Sequence, residues 1–277
     1  MIQIGKYHTL RILRRTPFGL YLVDGSGEEV LLPNKYCPEN YEMDDELEVF
    51  VYLDHNEKKI ATNIKPKIVL HEFSLLEVKD VSMVGAFMDW GLEKDLFVPF
   101  KEQRQRMEEG RWYIVFLDID HRTGRLYASN QINKILQNQN LSVTEGEKVE
   151  LVVLKETDLG FNVIVNHQHA GLIYSNEIFK KLNIGDKITG YVKHIREDNK
   201  LDISLQPIGY QNSNDANAEL IYRKLEEANG FLNITDKSSP EEIYSIFGIS
   251  KKAFKKSIGS LYKERKISIE PNGIKLS

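Results

Sequence analysis

Only one of the 277 residues is cysteine, and that scarcity closes several routes at once. Cys37 by itself forms no internal disulfide and no multi-cysteine metal site, as fits a reducing cytoplasm. It stands in Tyr36-Cys37-Pro38, a turn-like stretch without a neighbouring histidine, which argues against a catalytic thiol. Long apolar runs are missing too. The longest, such as Trp112 to Leu117, have the length of a strand and fall far short of a bilayer span, and Met1 to Lys6 lacks the apolar core of an export signal. No membrane partner is expected, and the expected location is cytoplasmic. Nor is there a basic excess: 37 Lys and Arg face 41 Asp and Glu, a net charge of -4. Coating nucleic acid by bulk electrostatics relies on such an excess, so any nucleic-acid contact must come from local patches. Residues 214–277 alone tip basic, with 11 Lys and Arg against 9 Asp and Glu.

Catalytic constellations are equally scarce. There is no glycine-rich phosphate loop with lysine, no HExxH and no GxSxG, and Gly25-Ser26-Gly27 follows Asp24 as an ordinary turn. His167-Gln168-His169 would set two imidazoles on one strand face, yet no acidic partner accompanies them as a metal site needs. Asp118-Ile119-Asp120-His121 imitates a magnesium-binding carboxylate pair, but its turn setting favours a solvated loop. Neither an enzyme activity nor a cofactor is expected.

What the chain does contain is a repeat. Glycine-interrupted strands occur at Pro17-Phe18-Gly19-Leu20-Tyr21-Leu22, at Met83 to Gly91 around Gly85, and at Asp158 to Val165 around Gly160, spaced by 66 and then 75 residues. Each is followed by an apolar strand: Val30-Leu31-Leu32-Pro33, Leu96-Phe97-Val98-Pro99 and Gly171-Leu172-Ile173-Tyr174. Each repeat closes with a strand pair around a charged turn, at Asp54 to Lys58, Asp120 to Arg125 and Arg196 to Lys200. About five short strands in 65 residues, bounded by turn chemistry, predict a small closed barrel three times over. Lys65-Pro66-Lys67 joins the first two. Gln131 to Gly146, starting as a short helix, joins the next, and Pro207 to Asn214 reads as the last linker.

Beyond Asn214 the period changes from two to 3.6. Leu220, Ile221, Leu225 and Ala228 share a helix face. Ser239-Pro240-Glu241-Glu242 opens a second helix with a capping box, ending near Gly248. Ser250 caps a third helix from Lys251 to about Arg265, and a hairpin turns at Pro271-Asn272-Gly273. That is a winged-helix plan. The expected organisation is thus multidomain and mainly β: oligonucleotide-binding (OB) barrels at 1–65, 66–132 and 144–207, then an α+β winged helix at 214–277.

Val84-Gly85-Ala86-Phe87-Met88-Asp89-Trp90-Gly91 with Leu96-Phe97-Val98-Pro99 resembles the five-stranded RNA-binding OB barrel named after ribosomal protein S1. The first and third repeats resemble it by plan more than by residue. A glycine bulge would bend the second strand and bring positions three apart, such as Phe18 and Tyr21, onto one outer face. Exposed aromatics there, Phe18, Tyr21, Phe87 and nearby Trp90, would stack unpaired bases at roughly 1–3 kcal/mol each; the competing role of each is barrel packing. Tyr174 occupies a position where the family often has histidine, and Leu159 and Asn162 replace the third pair. The resemblance also implies phosphate contacts from the turn cations Lys58, Arg122, Arg125, Arg196 and Lys200, whose alternative is a solvated loop. One such barrel binds only at millimolar to micromolar strength, so useful affinity needs modules in series.

On the third helix Phe254, Ile258, Leu261 and Tyr262 form one stripe, and Lys252, Lys255, Lys256 and Lys263 another about 125° away. Gly259 lies within the lysine stripe, and Lys266 and Lys275 add charge near the wing. With arginine nearly absent, base-specific DNA readout is not expected; non-specific phosphate contact, to DNA included, is the stronger version, against a solvated face that docks on protein. Together, the barrels and the stretches Ser239 to Ile243 and Phe247 to Lys256 resemble the bacterial conserved virulence factor B family over nearly the whole chain. That resemblance implies an RNA-binding regulator acting on gene expression after transcription, with single-stranded RNA as partner. The alternatives are a protein-interaction scaffold that has kept the folds and lost the ligand, suggested by the acidic barrels, and a winged-helix DNA-binding transcriptional regulator.

Overall fold

The computed structural model describes residues 1–178, 181–207 and 214–277. They form two compact units, Met1–Leu136 and Gln137–Ser277. In the first unit β1 (Lys6–Thr16), β2 (Gly19–Val23), β3 (Glu29–Pro33), β4 (Glu46–Leu53) and β5 (Lys59–Thr62) close into a barrel of order β1-β2-β3-β5-β4. Leu31 and Ile60 pair β3 with β5 in parallel. This is the OB arrangement. It recurs in β6 (Phe73–Val81), β7 (Gly85–Asp89), β8 (Leu96–Pro99), β9 (Trp112–Ile119) and β10 (Leu126–Ser129), where the sheet runs β10-β9-β6-β7-β8 and β8 lies beside β10. A short helix, α1 (Ile132–Ile135), ends the unit.

Alternation decides which side chains face inward. Along β7, Ala86 and Met88 are buried while Phe87 and Asp89 face out; along β8, Leu96 and Val98 are buried while Phe97 and Pro99 face out. The bends lie elsewhere than expected. Register shifts fall in the first strand of each barrel, at Ile12/Arg14 and Val78/Asp80 in this unit, and not in the glycine strand. The glycines serve close approach instead: a Cβ on Gly19 would stand 2.0 Å from the Leu32 carbonyl oxygen, and one on Gly85 2.4 Å from that of Val98.

The two barrels are not beads on a linker. Phe50 and Tyr52 of β4 belong to the same buried cluster as Met88, Trp90, Leu92 and Leu117 of the second barrel. A core shared this way makes the pair one body.

In the second unit β11 (Lys148–Thr157), β12 (Gly160–Val165), β13 (His169–Tyr174), β14 (Lys187–Ile195) and β15 (Leu201–Ser204) close in the same order, with register shifts at Val153/Lys155 in β11 and at Val192/His194 in β14. The expected linker from Pro207 to Asn214 lies, between its end residues, outside the described residues. α2 (Asn214–Glu227), β16 (Phe231–Leu232), α3 (Pro240–Phe247), α4 (Lys251–Lys263), β17 (Ile267–Glu270) and β18 (Gly273–Leu276) follow. Ser239 Oγ accepts the Glu242 N–H at 3.1 Å while Glu242 accepts that of Ser239 at 3.0 Å, the expected capping box. Gly248 ends α3 with φ +66°, and Ser250 Oγ caps α4 through the Ala253 N–H at 3.1 Å.

Ile221, Leu225, Ile243, Phe247, Phe254, Ile258 and Leu261 build the winged-helix core. One expected core member is corrected. Tyr262 is 57% exposed, because the buried stripe is Phe254, Ser257, Ile258 and Leu261, and the next residue turns about 100° away. β16 adds a third strand against β18 that the hairpin alone did not suggest. Among the described residues, no helix is long and apolar enough to cross a membrane.

Candidate nucleic-acid interface

OB barrels take oligonucleotides on the face of strands two and three, flanked by the loops after strands one and four. In the second barrel that face opens onto a cleft of about 1010 Å³. Phe87 and Phe97 are register partners on its floor, ring centroids 5.3 Å apart and tilted by 38°. Val84 rises from the loop before β7. Ser82 Oγ shapes that loop by donating to the Gly85 carbonyl at 3.2 Å, as Thr16 and Thr157 do to Gly19 and Gly160 at 2.9 and 2.8 Å. The residue before each glycine is thereby turned outward: Phe18 is 74% exposed, Val84 and Leu159 62% each.

Cations flank the rings. Lys101, Arg122 and Arg125 line the cleft, the latter two on the turn between β9 and β10. Asp120 orders that turn by accepting the N–H groups of Arg122 at 2.9 Å and Thr123 at 3.2 Å, which hold its carboxyl below the usual carboxylate range. Tyr127 donates its hydroxyl to Asp118 at 3.2 Å; burial and then the Asp118 charge push its pKa up to about 12, so it stays a donor at neutral pH. The two aspartates of the nuclease-like stretch therefore serve a side chain and a turn separately. From the first barrel, Tyr52, His55 and Glu57 also line the cleft.

Of the sequence-predicted residues, Phe87, Arg122 and Arg125 come together here. Trp90 also borders the cleft but is 3% exposed, its indole donating to the Lys94 carbonyl at 2.5 Å, so the expected stacking role is corrected to one of packing between barrels. Phe18 and Tyr21 lie on the first barrel, outside this cleft; the Arg14 guanidinium, paired with Glu29 at 2.6 Å, sits 4.1 Å from the Tyr21 ring. Lys58 is exposed on its turn. In the third barrel Arg196 is engaged by Asp202 at 2.9 Å and by the Tyr174 hydroxyl, and Lys200 pairs with Asp198 at 2.6 Å. That barrel has Asn162 and Leu172 where the second has its two rings. Phe97 and Tyr127 were missed, although Phe97 stands at the outward position of an alternating strand.

His167 occupies a turn with φ +56° and His169 opens β13, so the two imidazoles do not share a strand. His169 is buried, its Nδ1 donating to the Gln137 carbonyl at 2.7 Å and its Nε2 accepting the Ser142 N–H at 3.1 Å. On α4, Lys252, Lys255, Lys256 and Lys263 are exposed; Lys255 lies 3.2 Å from Asp236, and Lys266 pairs with Glu264 at 2.8 Å. A Cβ at Gly259 would meet nothing within 4 Å, so no internal contact demands glycine there.

Repeated OB barrels ahead of a winged helix, with paired aromatics and cations on the ligand face of one, define a protein of the nucleic-acid-binding class. Residues 4–63 match the S1 domain model, and residues 219–276 match that of the CvfB-like winged helix domain. "Uncharacterized protein YitL" of Bacillus subtilis (strain 168) is 31% identical over 273 residues, covering 95% of this chain and 90% of that protein. "Conserved virulence factor B" of Staphylococcus aureus (strain USA300) is 27% identical over 271 residues, covering 93% and 89%. The chain belongs to the conserved virulence factor B family. A solved multidomain protein with nucleic acid binding domains from Streptococcus pneumoniae aligns over 99% of this chain and 98% of its own, at 23% identity and a TM-score of 0.41.

Proposed function

We propose that this protein binds single-stranded RNA in the cytoplasm without altering it chemically, and regulates gene expression after transcription. The observation that carries this reading is the Phe87–Phe97 pair on the ligand face of the second barrel, with Arg122 and Lys101 beside it. Unpaired bases supply the flat faces that such rings stack upon, and the adjoining cations meet the backbone that connects those bases. Duplex DNA keeps its bases stacked and offers these rings no free base face. The lysines of α4 add phosphate contact without base preference, which suits a binder of many transcripts.

Titration of fluorescently labelled single-stranded RNA, single-stranded DNA and duplex DNA with the full chain, repeated across a salt series, tests the reading. The expected order of affinity is RNA, then single-stranded DNA, then duplex. RNA recovered intact after incubation with magnesium is expected as well. No binding of any strand at micromolar protein and low salt would sink the proposal, and shortened RNA would sink its non-catalytic part.

A further inference from the structure

The turns before the last strand of each barrel share a plan, the second being one residue longer than the other two. In each, one N–H returns to the carbonyl of the turn's first residue: Glu57 to Asp54 at 3.1 Å, Gly124 to Asp120 at 2.7 Å, and Asn199 to Arg196 at 2.8 Å. All three residues are left-handed, with φ of +63°, +69° and +59°. Glycine and asparagine adopt that conformation readily, whereas glutamate does so only against steric resistance from its Cβ. A disfavoured residue held where its two counterparts are favoured ones points to work done by its side chain.

That side chain crosses to the second barrel. The Glu57 carboxylate rests on the guanidinium of Arg125, the cation that follows Gly124, and both line the cleft. The loop that carries it is pinned in place. Lys94 Nζ donates to the Asp54 carbonyl at 2.8 Å, and the Asp54 carboxylate accepts the N–H groups of Asn56 and Lys58 at 2.8 and 2.9 Å.

We propose that Glu57 is a built-in stand-in for phosphate, occupying Arg125 until the backbone of a bound single strand displaces it. This inference rests on the RNA reading above. A carboxylate and a phosphate compete for the same guanidinium face, so a ligand must evict Glu57 before Arg125 can contribute. A polyanion that brings phosphates alone gains little by the exchange, whereas a strand that also stacks on Phe87 and Phe97 has a second source of affinity. Glu57 thus acts as a specificity determinant contributed by the first barrel to the site of the second.

The test is a double-mutant cycle on the full chain, read by anisotropy with a labelled oligouridine about 12 nucleotides long. Glu57→Gln is expected to tighten binding about 1.5- to 5-fold, the range of a solvent-exposed ion pair. Glu57→Gly, which restores the residue type of the second turn, should tighten it likewise. In an Arg125→Gln background the gain from Glu57→Gln should vanish. Unchanged affinity in both Glu57 variants, or a gain that persists without Arg125, would overturn this inference while leaving the RNA reading intact. Absence of binding by the wild type and by every variant would remove both.

Discussion

The indole of Trp90 stands edge-on to the ring of Phe50, centroids 5.9 Å apart at 80°, and edge-on again to Tyr52 at 6.1 Å and 87°. Phe50 and Tyr52 come from the fourth strand of one barrel, and Trp90 directly follows the second strand of the next. The contact therefore fixes the angle between two modules that the chain joins by only a few residues. Burial, with Tyr36 next, raises the Tyr52 pKa above its ordinary value. Since Tyr52 and the loop after it line the cleft, the junction also shapes the candidate site.

Trp90→Ala should accordingly destabilise the first unit by about 3–5 kcal/mol, the usual range for removing a large buried aromatic. RNA affinity should fall with it, although Trp90 touches no ligand in the proposed mode. Trp90→Phe, which keeps part of the packing, should lose less on both counts. Calorimetry of the full-length variants checks the first effect and RNA titration below the unfolding temperature checks the second; wild-type melting in Trp90→Ala would contradict the shared core.

Phe87 and Phe97 face outward and are only half-buried, so truncating them removes little of the core. Phe87→Ala and Phe97→Ala are each expected to weaken single-stranded RNA binding by about 5- to 150-fold, which corresponds to roughly 1–3 kcal/mol per stacked base. Thermal unfolding should shift little. Phe18→Ala, on the first barrel and outside the cleft, should weaken binding less than either. Equal losses at all three positions would show that the cleft is not the principal site.

The threefold barrel repeat was legible because each copy carries its own punctuation: a glycine in the second strand, alternating apolar residues, a charged turn before the last strand. The capping chemistry of Ser239, Glu242, Gly248 and Ser250 made the winged helix equally plain. Three features were not legible, for physical reasons. Glycine marks both bulges and close approaches, and sequence does not separate a bend at Gly85 from the displaced register at Val78/Asp80. Trp90 reads as a ligand contact because packing between modules leaves no periodic trace within either one. Phe97 was passed over since alternation tells which residues face out but not which outward residues meet across strands; its pairing with Phe87 is a property of register.

Asp89, in the same motif, accepts the Lys67 ammonium at 2.7 Å and the Gly91 N–H at 2.9 Å, with Lys79 at 3.8 Å. The Lys67 hydrogen bond first, then that of Gly91, hold its carboxyl below the usual carboxylate range. A group lowered in the folded state contributes stability above its unfolded value, about 3.9, and loses it as pH falls through the folded one. Asp89→Asn should therefore lower the urea midpoint by a constant amount between about pH 5 and 8, and the gap to wild type should close below about pH 4. A gap that widens in acid would exclude the ion pair as its origin.

The four exposed lysines of α4 are not equivalent. Lys255 already has Asp236 at 3.2 Å, whereas Lys252 and Lys256 have no ion-pair partner of that kind among the described residues. A cation neutralised within its own domain releases fewer counterions from a nucleic acid, so its removal should change the salt dependence less. In the proposed mode Lys252→Gln and Lys256→Gln should each reduce the slope of log affinity against log salt by about 0.7, the value for one single-strand phosphate, and do so for every RNA sequence alike. Lys255→Gln should reduce it by less. Slopes measured for single-stranded RNA from low to physiological salt decide the matter: unchanged slopes in Lys252→Gln and Lys256→Gln would assign α4 to protein contact and confine RNA to the barrels.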